Sequence, residues 1–220
     1  MLAISLTNPD PHPRDCPSFE YETHADRPNV LPTRVSEILV AASRGQINLQ
    51  GEVLDTRHVH HRLFVGLTPP NCDYYAGHYR GESFRCLRHY RVTVPADPRV
   101  GSPPAKVAFD MQELGKLVGV GFAALDNGPP LTAQDRLRYL IVFICRIFEV
   151  FLRVHPYANG NGHAARMIVW FIFLRYGYWP RRWSVEPKPP DPPYSQYISL
   201  YRSGQPQHLE AFIASMLTPT

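Results

Sequence analysis

The chain reads as a mostly α-helical domain, and three stretches carry that reading. Residues Met167-Ile168-Val169-Trp170-Phe171-Ile172-Phe173-Leu174 are apolar on every side, as a helix sunk in a core must be, and Gly177 is placed to stop it. From Tyr139 to Val154 the polar residues Arg146, Glu149 and Arg153, with Asp135 and Arg138 just upstream, fall in one narrow arc of a helical wheel. All other positions of that run are apolar, so it reads as the central helix of a bundle. In the tail, Tyr197, Leu200 and Tyr201, then Leu209, Phe212, Ile213 and Leu217, recur at the spacing of amphipathic helices. A chain of 220 residues is long enough for one well-buried core, and nothing in its pattern forces a second.

Taken in order, the chain opens with a proline-rich stretch. It holds 23 prolines in all, about twice the ordinary share of ~5%, gathered at 9–17, 95–104 and 187–193. Residues 1–30 are expected to be an irregular arm, and 31–220 the folded domain. Leu31 to Ala42 predicts a short helix with Val35, Ile38, Leu39 and Ala42 on one face. Tyr90, Val92 and Val94 alternate with Arg91 and Thr93, Pro95 to Pro98 breaks the alternation, and Lys106-Val107-Ala108-Phe109 resumes it. That pattern predicts a small β-hairpin.

The most informative stretch follows the central helix: His155-Pro156-Tyr157-Ala158-Asn159-Gly160-Asn161-Gly162-His163-Ala164-Ala165-Arg166. Gly160 and Gly162 permit a tight turn that aims successive N–H groups one way, and the helix starting there adds its positive dipole end. His163 and Arg166 are three residues apart and share a helix face. His155 precedes the turn. An anion, most naturally phosphate, fits this layout.

The same stretch resembles the signature of the Fic family, His-Pro-Phe-x-(Asp/Glu)-Gly-Asn-Gly-Arg-x-x-Arg, whose best-known activity moves AMP from ATP to a protein hydroxyl. Tyr75-Ala76-Gly77-His78-Tyr79-Arg80 is similar to the family's Ala-Gly-x-x-Arg turn, and the similarity runs over about residues 57–217. It implies a Fic-like helical bundle with a hairpin flap over the active site, His155 as general base, and Gly160, Asn161, Gly162, His163 and Arg166 as phosphate ligands. It also implies ATP as donor, Mg²⁺ as cofactor, and a protein substrate with a Ser, Thr or Tyr hydroxyl, docked on a flap at Arg88, His89, Tyr90, Arg91 and Val92.

Two positions depart from the family pattern. Asn159 stands where the family has an acidic Mg²⁺ ligand, and an amide oxygen brings no charge to a hard cation. His163 stands where the family has its first arginine, so a rigid fork of donors is replaced by a conditionally charged ring. Alternatives follow: transfer of another nucleotide, phosphate or phosphocholine, or a module that binds a nucleotide or partner without turnover. The family's inhibitory pattern, a glutamate followed by Gly or Asn, does not occur, which leaves constitutive activity or control by a separate regulatory protein.

Composition narrows the remaining classes. A net charge of +4 indicates a mildly basic surface and not a nucleic-acid-binding arm. Arg181-Arg182-Trp183 reads as a surface turn. The histidines of His58-Val59-His60-His61 have only Asp55 nearby to complete a metal shell, so a surface helix is preferred there. Cysteines 16, 72, 86 and 145 show no paired spacing and read as free thiols in a reducing compartment. With neither a signal-like start nor an uncharged span of membrane length, a cytoplasmic protein is expected.

Overall fold

A computed structural model describes residues 16–94 and 97–217. Among the described residues the chain forms eight α-helices and no strand: α1 (Arg27–Ser43), α2 (Leu49–Leu54), α3 (Arg57–Phe64), α4 (Pro104–Asn127), α5 (Ala133–Val154), α6 (Asn161–Arg175), α7 (Tyr194–Arg202) and α8 (Gln207–Ser215). A single 3₁₀ turn at Tyr21–Thr23 precedes α1, and another lies at Asp73–Tyr75.

α5 and α6 form the centre. α5 opens on Thr132, whose hydroxyl accepts from the Asp135 N–H, and α4, α6, α7 and α8 pack around it. Glu149, on its polar arc, is buried and meets Arg202 of α7 and Arg153. α6 is buried from His163 through Phe173, as its all-apolar sequence requires. It stops where Gly177, at φ 78°, lets the Gly177 and Tyr178 N–H groups turn back to the Leu174 and Phe173 carbonyls. α1 starts at Arg27, earlier than the periodicity alone indicates, because Pro28 supplies a favourable first helical turn.

Among the described residues the expected hairpin is not seen. Arg88 and His89 lie in turns, and Tyr90, Arg91 and Val92 continue without regular structure. Lys106–Phe109 is the opening of α4, not a strand. Four alternating residues were too short a window: Val107, Met111, Leu114, Val118, Phe122 and Leu125 are the buried positions, a helical period that the alternation masked. Pro104 at the start of α4 loses nothing there, since that N–H would have no helical acceptor.

The expectation for the cysteines is also corrected. Cys16 and Cys86 form a disulfide with their Cα atoms 5.5 Å apart, while Cys72 and Cys145 are free and buried. A sequence separation of 70 residues hid the pair. It forms because residues 16–24 fold back onto the core: Phe19 and Tyr21 are buried against Phe64 and Tyr75. Disulfides persist in oxidising surroundings, so the case for a reducing compartment loses its basis. Residues 1–15 of the expected arm, Pro95 and Ala96 of the expected hairpin, and residues 218–220 lie outside the described residues. Among the described residues no helix is long and apolar enough to cross a membrane.

A candidate anion site at the start of α6

The site is built where α5 ends and α6 begins. His155 closes α5 in the left-handed region, at φ 54° and ψ 60°. That conformation costs an L-residue with a Cβ about 1–2 kcal/mol, which is why glycine is usual at such a cap. Arg80 holds the corner from below. Its guanidinium, 1% exposed, donates to the carbonyls of Val154 and His155, and also to those of Ser102 and Tyr90.

The His155 ring is 3.0 Å from the Leu152 carbonyl through Nδ1. A carbonyl only accepts, so Nδ1 carries the proton and Nε2 presents a lone pair with no partner among the described residues. Burial, with the Arg80 and Arg202 charges, holds the pKa below the ordinary histidine value against the pull of the Leu152 carbonyl. At neutral pH the ring is therefore a base.

The turn that follows is fixed from inside. The Asn161 side chain accepts from the Tyr157 N–H and donates to the Tyr157 carbonyl, both at 2.9 Å. Tyr157 is fully buried, its hydroxyl paired with Thr56 and its ring stacked on His60 at 3.6 Å. His60 in turn accepts from the Gly77 N–H and donates to the Asn159 carbonyl. Gly160 sits at φ 78°, and a Cβ there would lie 2.4 Å from the Phe64 ring. Only glycine fits both the conformation and the space.

The first turn of α6 leaves donors without acceptors. The Asn161 and Gly162 N–H groups have none among the described residues, as the start of a helix leaves them. Arg166, 5% exposed, spends Nε on the Val185 carbonyl, and its guanidinium also meets the Tyr194 hydroxyl, with no carboxylate paired to it among the described residues. The absence of a side chain at Gly162 lets that guanidinium fold over the helix start, since a Cβ there would be 3.0 Å from Nη1. Two backbone donors, a buried guanidinium and a helix dipole converge on one spot.

His163 and Asn159 are placed differently. His163 Nε2 is 2.6 Å from Glu186, so it donates there, and Nδ1 then accepts from the Tyr21 hydroxyl at 3.3 Å. This network is complete with a neutral ring, consistent with burial lowering the His163 pKa. Glu186 also pairs with Arg27 at 2.6 Å. Asn159 accepts from the Gly160 N–H and donates to the Phe19 carbonyl and the Glu22 carboxylate. Its oxygen is committed, and among the described residues no group of three potential ligands surrounds a metal position.

Several participants escaped sequence reading. Glu186, Arg27, Tyr21 and Glu22 carry no motif and come to the site from distant segments. Trp183, read as part of a surface turn, is 1% exposed and donates its indole N–H to the Arg166 carbonyl, which zips residues 183–186 to α6. His58 meets Glu52. No family model, curated protein or solved structure matches the chain.

Proposed function

We propose that the chain is a Fic-type transferase that moves AMP from ATP to a protein hydroxyl, with His155 as general base and the start of α6 as the phosphate site. One observation carries the reading: a neutral histidine with a free Nε2 sits at the corner that leads directly into the unpaired Asn161 and Gly162 N–H groups, with the Arg166 guanidinium beside them. In the proposed step Nε2 takes the proton of a Ser, Thr or Tyr hydroxyl, whose oxygen bonds to the α-phosphorus. The bond from that phosphorus to the pyrophosphate oxygen breaks, and pyrophosphate leaves with the electron pair. The Asn161 and Gly162 N–H groups and Arg166 receive the charge that develops, preorganised stabilisation of the oxyanion-hole type. Proton transfer to a positioned base typically contributes ~10²–10⁴-fold in rate.

The closed His163 network favours a second reading, a donor of lower charge or a bound ligand without turnover. A neutral ring adds no positive charge, and Asn159 adds no metal, so the site offers only the Arg166 charge to the phosphates. Incubating the full chain and a His155→Ala variant with α-labelled ATP, GTP, CTP or UTP and a protein extract separates the two. Label on protein with wild type alone supports transfer and identifies the donor. Equal labelling by the variant removes His155 from the mechanism, and no labelling with any nucleotide favours the second reading.

A further inference from the structure

The start of α6 is covered, and the cover is tied down at both ends. Residues 16–22 run across it. Tyr21 plugs against the first turn through its hydroxyl on His163 and its ring against Phe64, with centroids 4.7 Å apart. The Phe19 carbonyl and the Glu22 carboxylate take both available directions of the Asn159 amide. At one end Arg27 is fixed to Glu186. At the other, Cys16 is bonded to Cys86, and the Tyr75 hydroxyl donates to the adjacent Pro17 carbonyl at 2.9 Å.

Beneath the cover, the Arg166 guanidinium lies over the helix start without a paired carboxylate among the described residues, while the carboxylates of Glu22 and Glu186 are engaged by Asn159 and His163. A guanidinium at a helix start is a cation that an incoming anion would pair.

We propose that residues 16–22 are a redox-released strap: the Cys16–Cys86 disulfide holds the anion site shut, and its reduction admits a phosphate-bearing ligand. The chemistry is thiol–disulfide exchange with a dithiol reductant. A thiolate attacks Cys16 Sγ, the more exposed side, and the Cys86 thiolate leaves. The second thiol of the reductant then resolves the mixed disulfide, giving two protein thiols and an oxidised reductant, two electrons and two protons transferred. With Cys16 released, that end keeps only the Tyr75 hydrogen bond to the Pro17 carbonyl, and the strap can swing on the start of α1. The proposal rests on the transferase reading solely in taking the start of α6 for an anion site.

The test is calorimetric titration of inorganic pyrophosphate, with chelator present, into the oxidised chain, the dithiothreitol-reduced chain and the Cys16→Ser and Cys86→Ser variants. Near-UV circular dichroism verifies that each is folded. The reduced chain and both variants are expected to bind at least tenfold more tightly than the oxidised chain. Tyr21→Ala, which removes the plug and leaves the bridge intact, is expected to bind as the reduced chain does. Equal affinity in oxidised and reduced forms overturns the strap and leaves the anion site standing. No binding by any form, Tyr21→Ala included, overturns the strap and the anion site together, and with it the transferase reading.

Discussion

Replacing Arg80 by methionine tests whether the corner that carries His155 is held from below. The guanidinium makes five hydrogen bonds to four carbonyls at 2.7 to 3.1 Å. Charge-assisted bonds contribute about 1.5–3 kcal/mol each in isolation. Their sum overstates the loss, because burial already opposes the charge and pushes the Arg80 pKa down to about 10. Removing one partner of a buried charged network typically costs ~3–5 kcal/mol, and the lower end, about 3 kcal/mol, applies here. At ~2–4 °C per kcal/mol for a chain of this size, Tm falls by roughly 6–12 °C. Urea unfolding at pH 7 is the assay, read as a shift in midpoint at constant slope. Arg80→Lys keeps the charge but not the fork of donors, and should recover less than half of the loss. Because the His155 carbonyl loses its cap, transfer activity should drop further than the folded fraction does. A change below about 0.5 kcal/mol in Arg80→Met, within the range of ordinary surface substitutions, refutes the reasoning.

Four other outcomes follow from the same geometry. Gly160→Ala places a methyl 2.4 Å from the Phe64 ring at a positive φ and should cost about 2–4 kcal/mol, measured by thermal melting. His155→Gly and His155→Ala both remove the base, but glycine relieves the left-handed strain, so it should be more stable than alanine by about 1 kcal/mol in chemical denaturation while neither transfers label. His60 is held neutral by burial, its pKa lowered to about 3, so the unfolded chain binds a proton below pH ~6.5 that the folded chain refuses. Stability should fall by about 1.4 kcal/mol per unit as pH drops through that window, with a shallower slope in His60→Gln. His155, with its pKa lowered mainly by burial, should hold full activity down to a pH below its ordinary value of ~6.5, the acid limb of the rate profile marking the loss of the neutral base.

The helices were legible in the sequence because burial leaves a period. The all-apolar run of α6 and the single polar arc of α5 each specify a helix and its surroundings without knowledge of partners. The turn into α6 was legible for a different reason, since glycine at 160 and a helix start at 161 are local requirements. What was illegible is whatever depends on distant segments. Nothing at Cys16 or Cys86 announces the bridge, which exists because Phe19 and Tyr21 find a pocket lined by Phe64 and Tyr75. Nothing at Glu186 announces His163, which it reaches because Trp183 zips its segment to α6. The alternation at 90–94 misled because a few residues of period two carry no information about whether a partner strand exists.

The two departures from the family pattern take on a different sense once their neighbours are known. Had this chain descended from the family pattern by drift, holes and unmet polar groups would be expected at both positions. Here each replacement is met: Asn159 by the Gly160 N–H, the Phe19 carbonyl and Glu22, and His163 by Tyr21 and Glu186. The partners of both come from the segment at 19–22 or from Glu186, so the substitutions and the cover over α6 form one interlocked set. The donors left without acceptors among the described residues are the Asn161 and Gly162 N–H groups at the helix start, beside the Arg166 guanidinium, and these are the groups an incoming anion would use under the proposed function.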